Sequence, residues 1–314
     1  MATPCRIRPC LLRASLVAAL GAALATIASP AQLQAGIPPE LSVRYRGDVS
    51  EYRLHYEANG GHRRIVFVLL PRWYGPGRHP RLPLIIAPHG RGAGPFLEQG
   101  RAWGQLPAKA GFVVLMPEGQ GRMLAHHSWG YRGQVDDLAR MPAILRESIP
   151  WLRVDAHRIY AVGGSMGGQE TLLLAAQHPG LLAGAVTFDA PTDLARRYQQ
   201  VVTLPNAGSL RALMRLEVGG TPDELPEAYA DRSPLHFAQA LADSGVPLEM
   251  WWSTRDELVV NQRTQCGRLF AELKRLNPRA RVVSVVGTWP HVAELRWDRG
   301  LPRALHFLGV PHAE

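Results

Sequence analysis

The stretch Ile159-Tyr-Ala-Val-Gly163-Gly-Ser165-Met-Gly167-Gly168 decides how the rest of the chain is read. An apolar run, Ile159 to Val162, ends in glycines, and helical sequence from Thr171 to Ala176 follows. The pattern G-x-S-x-G is weak alone and specific between a buried strand and a helix. There the serine sits on a strained turn with its hydroxyl projecting above a sheet. Gly163 and Gly167 let the two backbones pass closely, and the helix N-terminus favours negative charge developing beside the hydroxyl. A glycine-rich turn with an incidental serine is the alternative. A phosphate-binding loop is excluded, since no Gly-Lys-Ser/Thr follows.

Working outward, apolar runs alternate with helical stretches. Ile65 to Leu70, Leu84 to Ala87, Phe112 to Met116, Ile159 to Val162, Ala185 to Phe188, Leu248 to Trp252 and Val282 to Val286 read as strands. Several are continuously apolar, as strands covered on both faces are. Helices are expected at about Phe96 to Ala110, Val135 to Ser148, Ser165 to Gln177, Pro234 to Ser244 and Asn261 to Leu276. This alternation predicts an α/β fold, a mostly parallel central sheet with helices on both faces. Asn59-Gly60-Gly61 is hairpin chemistry, so the first two strands are expected to be antiparallel. Thr192 to Ser233 holds no clear strand and is read as a small cap inserted beside the C-terminal edge of the sheet, with a long surface loop as the alternative.

Arg6, Arg8 and Arg13 precede an apolar run from Leu16 to Ala28, and the small residues Ser29, Ala31 and Ala35 follow. That layout predicts a signal peptide over residues 1–35, cleaved near 31 or 35, and a secreted or periplasmic protein. The run is short for a bilayer span, so no stable membrane insertion is expected after cleavage; an uncleaved anchor is the alternative. Residues 50–312 are then one domain. Cleavage removes Cys5 and Cys10 and leaves Cys266 alone, so the mature chain has no internal disulfide and depends on its core. Cys266 reads as a packed thiol. The formal net charge of +9 is spread as single arginines without a basic stripe, which excludes nucleic acid as a partner.

A serine hydroxyl needs a base to take its proton and a carboxylate to orient that base. When the serine stands on a G-x-S-x-G turn, the acid and then the histidine follow it in the chain. Asp256 ends the strand-like run from Leu248, and His291 follows the run Val282 to Val286, so both sit in loops able to converge on Ser165. Asp189, also at a strand end, is the reserve acid; Glu257 and Asp193 rank lower. His178, His306 and His312 read as helix-end or surface residues, and His126-His127 has no further ligand at metal spacing. No metal or cofactor is implied.

A tetrahedral intermediate needs two donors aimed at its oxyanion. Met166, after the nucleophile, supplies one backbone amide. The loop Pro88-His89-Gly90-Arg91-Gly92 supplies the other, from Arg91 with Gly90 as alternate. His89 reads as a residue that packs this loop. Trp129 and Tyr131 stand near the same rim, either lining a substrate pocket or packing the core.

With these residues placed, the chain resembles the α/β-hydrolase fold. Within it, the chain is similar to the catalytic domain of the prolyl oligopeptidase family and to secreted esterases of the feruloyl esterase and polyhydroxybutyrate depolymerase types. The likeness is carried by Val154-Asp155 and Arg158-Ile159 leading into the Ser165 motif, by Tyr229 with Ser233-Pro234-Leu235, and by Asp256 with Val259-Val260. It implies Ser165 as nucleophile, Asp256 as acid and His291 as base. Two features depart from the family: no propeller-sized segment lies before the first strands, and Trp289-Pro290-His291 replaces the family's Gly-His. The expectation is a serine hydrolase acting on a small ester or short peptide through an acyl-enzyme, with an ester favoured. A peptidase would need acids for the substrate amine, for which Glu118 or Asp223-Glu224 are candidates. A binding module with an unused triad is the third reading.

Overall fold

The computed structural model describes residues 42–77, 80–92, 102–119 and 129–310. The expected signal peptide, His126-His127 and His312 lie outside them. Strands β1 (Ser42–Arg46), β2 (Val49–Ala58) and β3 (His62–Pro71) form an antiparallel meander, and β2 turns into β3 at Ala58↔His62 across Gly60 and Gly61, both at positive φ. Neither β1 nor β2 shows as an apolar run. In β2 the buried residues Tyr52, Leu54, Tyr56 and Ala58 alternate with exposed ones, the pattern of a strand covered on one face.

Beyond the meander come β4 (Leu82–Ile86), helix α1 (Leu106–Ala110), β5 (Val113–Pro117), α2 (Arg132–Ser148), β6 (Val154–Gly164), α3 (Met166–Gln177) and β7 (Gly184–Phe188). The nine-stranded sheet runs β1-β2-β3-β5-β4-β6-β7-β8-β9, with β8 at Leu248–Ser253 and β9 at Val282–Gly287. From β5 onward every neighbouring pair is parallel. The chain steps from β4 to β5 on one side and returns to β6 on the other. The loops after β4 and β6 therefore part at the C-terminal edge, where open α/β sheets hold their ligands.

The continuously apolar strands alternate between two cores. Leu84 and Ile86, Val113 and Leu115, and Ile159 and Ala161 join one cluster with Leu138 of α2 and Leu172 of α3. Ile85, Val114, Met116, Tyr160 and Val162 join the other with Leu106 of α1 and with Leu301 and Leu305 of the last helix. Helices thus cover both faces, as expected.

The segment from Thr192 to Ser233 is helical: α4 (Leu194–Gln200), α5 (Ala207–Val218) and α6 (Pro226–Ala230). Leu194, Tyr198, Val201, Met214, Val218 and Tyr229 pack there with Met166 and Trp129 in a third cluster. Helices α7 (Ala238–Asp243), α8 (Cys266–Leu276) and α9 (Gly300–Phe307) complete the order. Two expected helices start late: Pro234 opens a 3-10 turn before α7, and Asn261, at φ 56, delays α8 to Cys266. Of the helix expected at Phe96 to Ala110, residues 96–101 lie outside the described residues; the remainder is interrupted at Gly104 and Gln105, after which Pro107 sits in the first turn of α1, where its missing N–H costs nothing. Cys266 therefore opens its helix; it is buried and its thiol donates to Ala190 O at 3.2 Å. Among the described residues no helix is long and apolar enough to cross a membrane.

Glu170 is buried within α3. Burial pushes its carboxyl up to about 8, against the pull of the Arg64 guanidinium. The folded protein therefore keeps this proton up to about pH 8, while an unperturbed carboxyl releases it at 4.5. Bound protons favour the folded state in that window, so stability falls as pH rises through it. Glu170→Gln is expected to remove this part of the fall and to exceed the wild type by at least about 1 kcal/mol at pH 9. Chemical denaturation of both proteins between pH 5 and 9 checks this.

Candidate active site

Ser165 links β6 to α3 with φ 55 and ψ −127, a left-handed backbone that a residue with a side chain adopts only when its surroundings impose it. Its N–H donates to Phe188 O at 2.8 Å, and its carbonyl accepts from Gln169 N at 3.1 Å. The flanking glycines are steric requirements. A Cβ on Gly163 would lie 2.3 Å from Gly167 O, and one on Gly167 would lie 2.1 Å from Pro88 O. The second contact seats the loop after β4 directly on the serine turn.

Asp256, beyond β8, and His291, beyond β9, meet as their order anticipates: His291 Nδ1 stands 2.8 Å from Asp256 Oδ2. Asp256 also accepts from Leu258 N and Val259 N, both at 2.9 Å, and from Gln262 Nε2 at 3.1 Å. A carboxylate so surrounded by donors accepts a hydrogen bond from the Nδ1–H of His291, which leaves Nε2 with its lone pair. The His291 loop reaches the serine turn: a Cβ on Gly164 would lie 2.9 Å from Val292 Cγ1 and 2.8 Å from Leu295 Cδ2.

The reserve acid, Asp189, is at the end of β7 and fully buried. It accepts from Ser253 N at 2.8 Å through Oδ1, and from Val292 N at 2.8 Å and Trp289 Nε1 at 3.1 Å through Oδ2. One side chain thus ties the end of the strand carrying Asp256 to both flanks of His291. Burial pushes its carboxyl up to about 6; Asp256 adds to the rise, while His291 and the N–H groups of Val292 and Ser253 oppose it. Ligand atoms of Asp189, Asp256 and His291 lie within 4.8 Å of one another. Each carboxylate oxygen already accepts an N–H, so the group is built as a hydrogen-bonded array. Ser165, Asp189 and Val292 all carry positive φ, and in a β-branched residue such as Val292 that conformation is an outlier, so backbone strain gathers round this site.

The loop after β4 is fixed from two sides. His89 is buried, its Nε2 accepts from Gly119 N at 2.6 Å, and its Nδ1 lies 2.7 Å from Gly90 O. Nε2 is thereby the acceptor, so Nδ1 carries the proton and donates to Gly90 O. In a trans peptide the N–H points opposite to the C=O. Holding the Gly90 carbonyl therefore turns the Arg91 N–H away from His89. On the other side, Glu217 of α5 accepts from Arg91 Nη2 at 2.6 Å, Arg91 Nε at 3.1 Å and Trp129 Nε1 at 2.7 Å.

The remaining candidates fall as follows. Trp129 is 4% exposed, and its indole packs in the third cluster and under the Arg91 guanidinium, which leaves it little surface for a substrate. Tyr131 precedes α2, half-buried, with the Arg232 guanidinium over its ring, 5.5 Å from the centroid. Asp193 caps α4 through Arg196 N and pairs with Arg268. Glu257 accepts from the backbone N of His291 at 3.2 Å. His178 Nε2 meets Asp136 at 3.1 Å, and His306 is exposed in the last turn of α9. Glu224 closes a turn with Thr221 N at 2.7 Å, while Glu118 accepts through its backbone carbonyl from Tyr56 and Arg64. Reading the sequence missed Glu217 and the hub role of Asp189; neither has a local signal, because their partners lie far away along the chain.

Residues 101–287 match the profile of the prolyl oligopeptidase family. Over 127 residues the chain is 29% identical to the "Uncharacterized peptidase YtmA" of Bacillus subtilis (strain 168), a match covering 40% of this chain and 46% of that protein. Among solved structures, S-formylglutathione hydrolase (FrmB) from Staphylococcus aureus superposes with a TM-score of 0.63 at 17% identity, over 83% of this chain and 98% of its own. Dipeptidyl peptidase 4 from Porphyromonas gingivalis superposes with a TM-score of 0.61 at 19% identity, over 82% of this chain and 35% of its own. At such identities the structural likeness speaks for the fold, which is that of the α/β-hydrolases.

One series of variants tests the arrangement. Asp256→Ala is expected to lower kcat by about 10³–10⁴-fold. His89→Ala, which frees the Gly90–Arg91 peptide, should cost about 10–10²-fold in kcat with little change in KM. Asp189→Asn should cost about tenfold, since the His291–Asp256 pair survives while its support is weakened. Full activity in Asp256→Ala together with loss in Asp189→Ala would transfer the acid's role to Asp189. Steady-state kinetics on one p-nitrophenyl ester suffices.

Proposed function

Since the chain belongs to the prolyl oligopeptidase family of serine hydrolases, we propose that it cleaves a carboxylic ester through an acyl-enzyme formed on Ser165. The observation that carries this reading is the 2.8 Å contact between His291 Nδ1 and Asp256 Oδ2, made in a loop packed on the Ser165 turn. Nε2 of His291 takes the hydroxyl proton as Ser165 Oγ attacks the carbonyl carbon, and Asp256 holds the ring and stabilises the imidazolium. The oxyanion is received by the N–H of Met166 and that of Arg91, with Gly90 as alternate. Collapse of the intermediate expels the alcohol, which takes the proton from His291. Water, activated by the same nitrogen, then releases the acid and restores Ser165.

An ester is favoured over an amide because an alkoxide departs more easily than an amine and demands fewer subsites to position it. Helices α4, α5 and α6, which we read as a small cap, pack with Met166. A second reading, hydrolysis of a short peptide, draws support from the likeness to the Bacillus subtilis peptidase. Export to the periplasm or medium belongs to the same proposal and rests on the arginine-led apolar run at residues 6–28. No cofactor enters the mechanism.

The protein lacking residues 1–35 is expected to hydrolyse p-nitrophenyl esters and to react with a fluorophosphonate probe at Ser165. Ser165→Ala should abolish both. Turnover of aminoacyl or Xaa-Pro anilides in place of esters would select the peptidase reading. Absence of probe labelling would overturn the hydrolase reading.

A further inference from the structure

Arg197, in the middle of α4, is 4% exposed. Among the described residues nothing hydrogen-bonds its Nε or Nη1. A guanidinium cannot shed its charge, and a buried one without an acceptor is costly, so a native structure that keeps one calls for an explanation.

Its position supplies that explanation. Helix α4 leaves β7 just beyond Asp189. Its Asp193–Arg197–Gln200 face lies against the stretch that follows Asp256: Asp193 N donates to Gln265 Oε1 at 2.8 Å, and Gln200 Nε2 donates to Thr264 Oγ1 at 2.8 Å. Residues three and four apart share a helix face, so Arg197 looks toward the same stretch. The adjoining face, Leu194, Tyr198 and Val201, packs with Met166, the residue after the nucleophile. Burial pulls the guanidinium down to about 10, and the Asp256 carboxylate opposes that fall. Asp256 nevertheless cannot serve as its partner. Its oxygens are taken by Leu258 N, Val259 N, Gln262 Nε2 and His291 Nδ1.

We propose that Arg197 is a substrate-recognition residue that pairs with a carboxylate carried by the ester or amide, so that the enzyme selects anionic substrates. A guanidinium presents a planar fork that matches a carboxylate with two parallel hydrogen bonds, and burial sharpens the gain when that partner arrives. The carboxylate stands on the acyl part or on the leaving group, and the same chemistry serves either. This inference rests on the hydrolase reading above.

Two matched ester pairs test it. The hemiglutarate and pentanoate p-nitrophenyl esters differ by a carboxylate on the acyl side. Acetylated 4-hydroxybenzoate and its methyl ester differ by one on the leaving side. The wild type is expected to favour the anionic member of one pair by about tenfold or more in kcat/KM, as one charge-assisted pair allows. Arg197→Met should bring that ratio to one or below, and Arg197→Lys should keep part of it. A ratio is internal to each variant, so a general loss of activity cancels. The melting temperature of Arg197→Met should hold or rise, since an apolar chain replaces an unpaired buried charge. Ratios equal in wild type and Arg197→Met for both pairs would overturn the inference and leave the hydrolase reading standing. Calorimetric binding of monomethyl glutarate and of 4-hydroxybenzoate to Ser165→Ala protein, with and without Arg197→Met, reads the same site without turnover. Binding of either that Arg197→Met abolishes supports the inference even if no ester is cleaved, and binding of neither, or binding that Arg197→Met leaves intact, counts against it.

Discussion

The site depends on a close approach that only glycine permits. Helix α3 starts so near the end of β6 that Gly163 and Gly167 leave no room for a Cβ, and Gly167 also touches the carbonyl of Pro88. That contact sets two things at once. It goes with the left-handed backbone of Ser165, and it brings the Pro88–Arg91 loop against the serine turn. A wider turn would move that loop away from Ser165. The strain at Ser165 is sustained because β6 is buried on both faces and hydrogen-bonded to β4 and β7.

Around that turn, single polar side chains do the joining that backbone ladders cannot. Asp189 gathers three N–H donors from the end of β8 and the His291 loop, and so ties the two together. His89 holds one peptide of the loop after β4. Glu217 reaches down from α5 to Arg91 and Trp129, so the helical cap and the loop share one ion pair. Each is buried, and each accepts or donates with little freedom to rearrange. Buried polar networks of this kind fix geometry more than they add stability.

Much of the architecture was legible in the chain. Strands covered on both faces are written as continuous apolar runs, and β4, β5, the second half of β6, β7 and β8 appear that way; β3 and the edge strand β9 show as apolar runs although part of each is exposed. The serine turn declares itself by glycine spacing, and Asp256 and His291 by their place after late strands. β1 and β2 were harder to see because they are covered less fully. Their apolar residues alternate with charged ones, and β1 has little burial at all. Two helices begin later than their apolar periodicity suggests, where Pro234 sets a 3-10 turn and the left-handed Asn261 delays the first turn.

The sequence by itself determined the fold class, the strand-to-helix turn at Ser165, and the placement of Asp256 and His291 after late strands, because those features rest on local periodicity and on spacing within one turn. Tertiary structure alone decided that Asp189 supports the His291 loop, that Glu217 clamps Arg91, that Trp129 is packed away, and that Arg197 lies buried with no acceptor for its Nε or Nη1 among the described residues. The groups that meet, or fail to meet, are dozens of residues apart or more. Their meeting depends on how the sheet twists and where the cap settles, and no short window of residues encodes that.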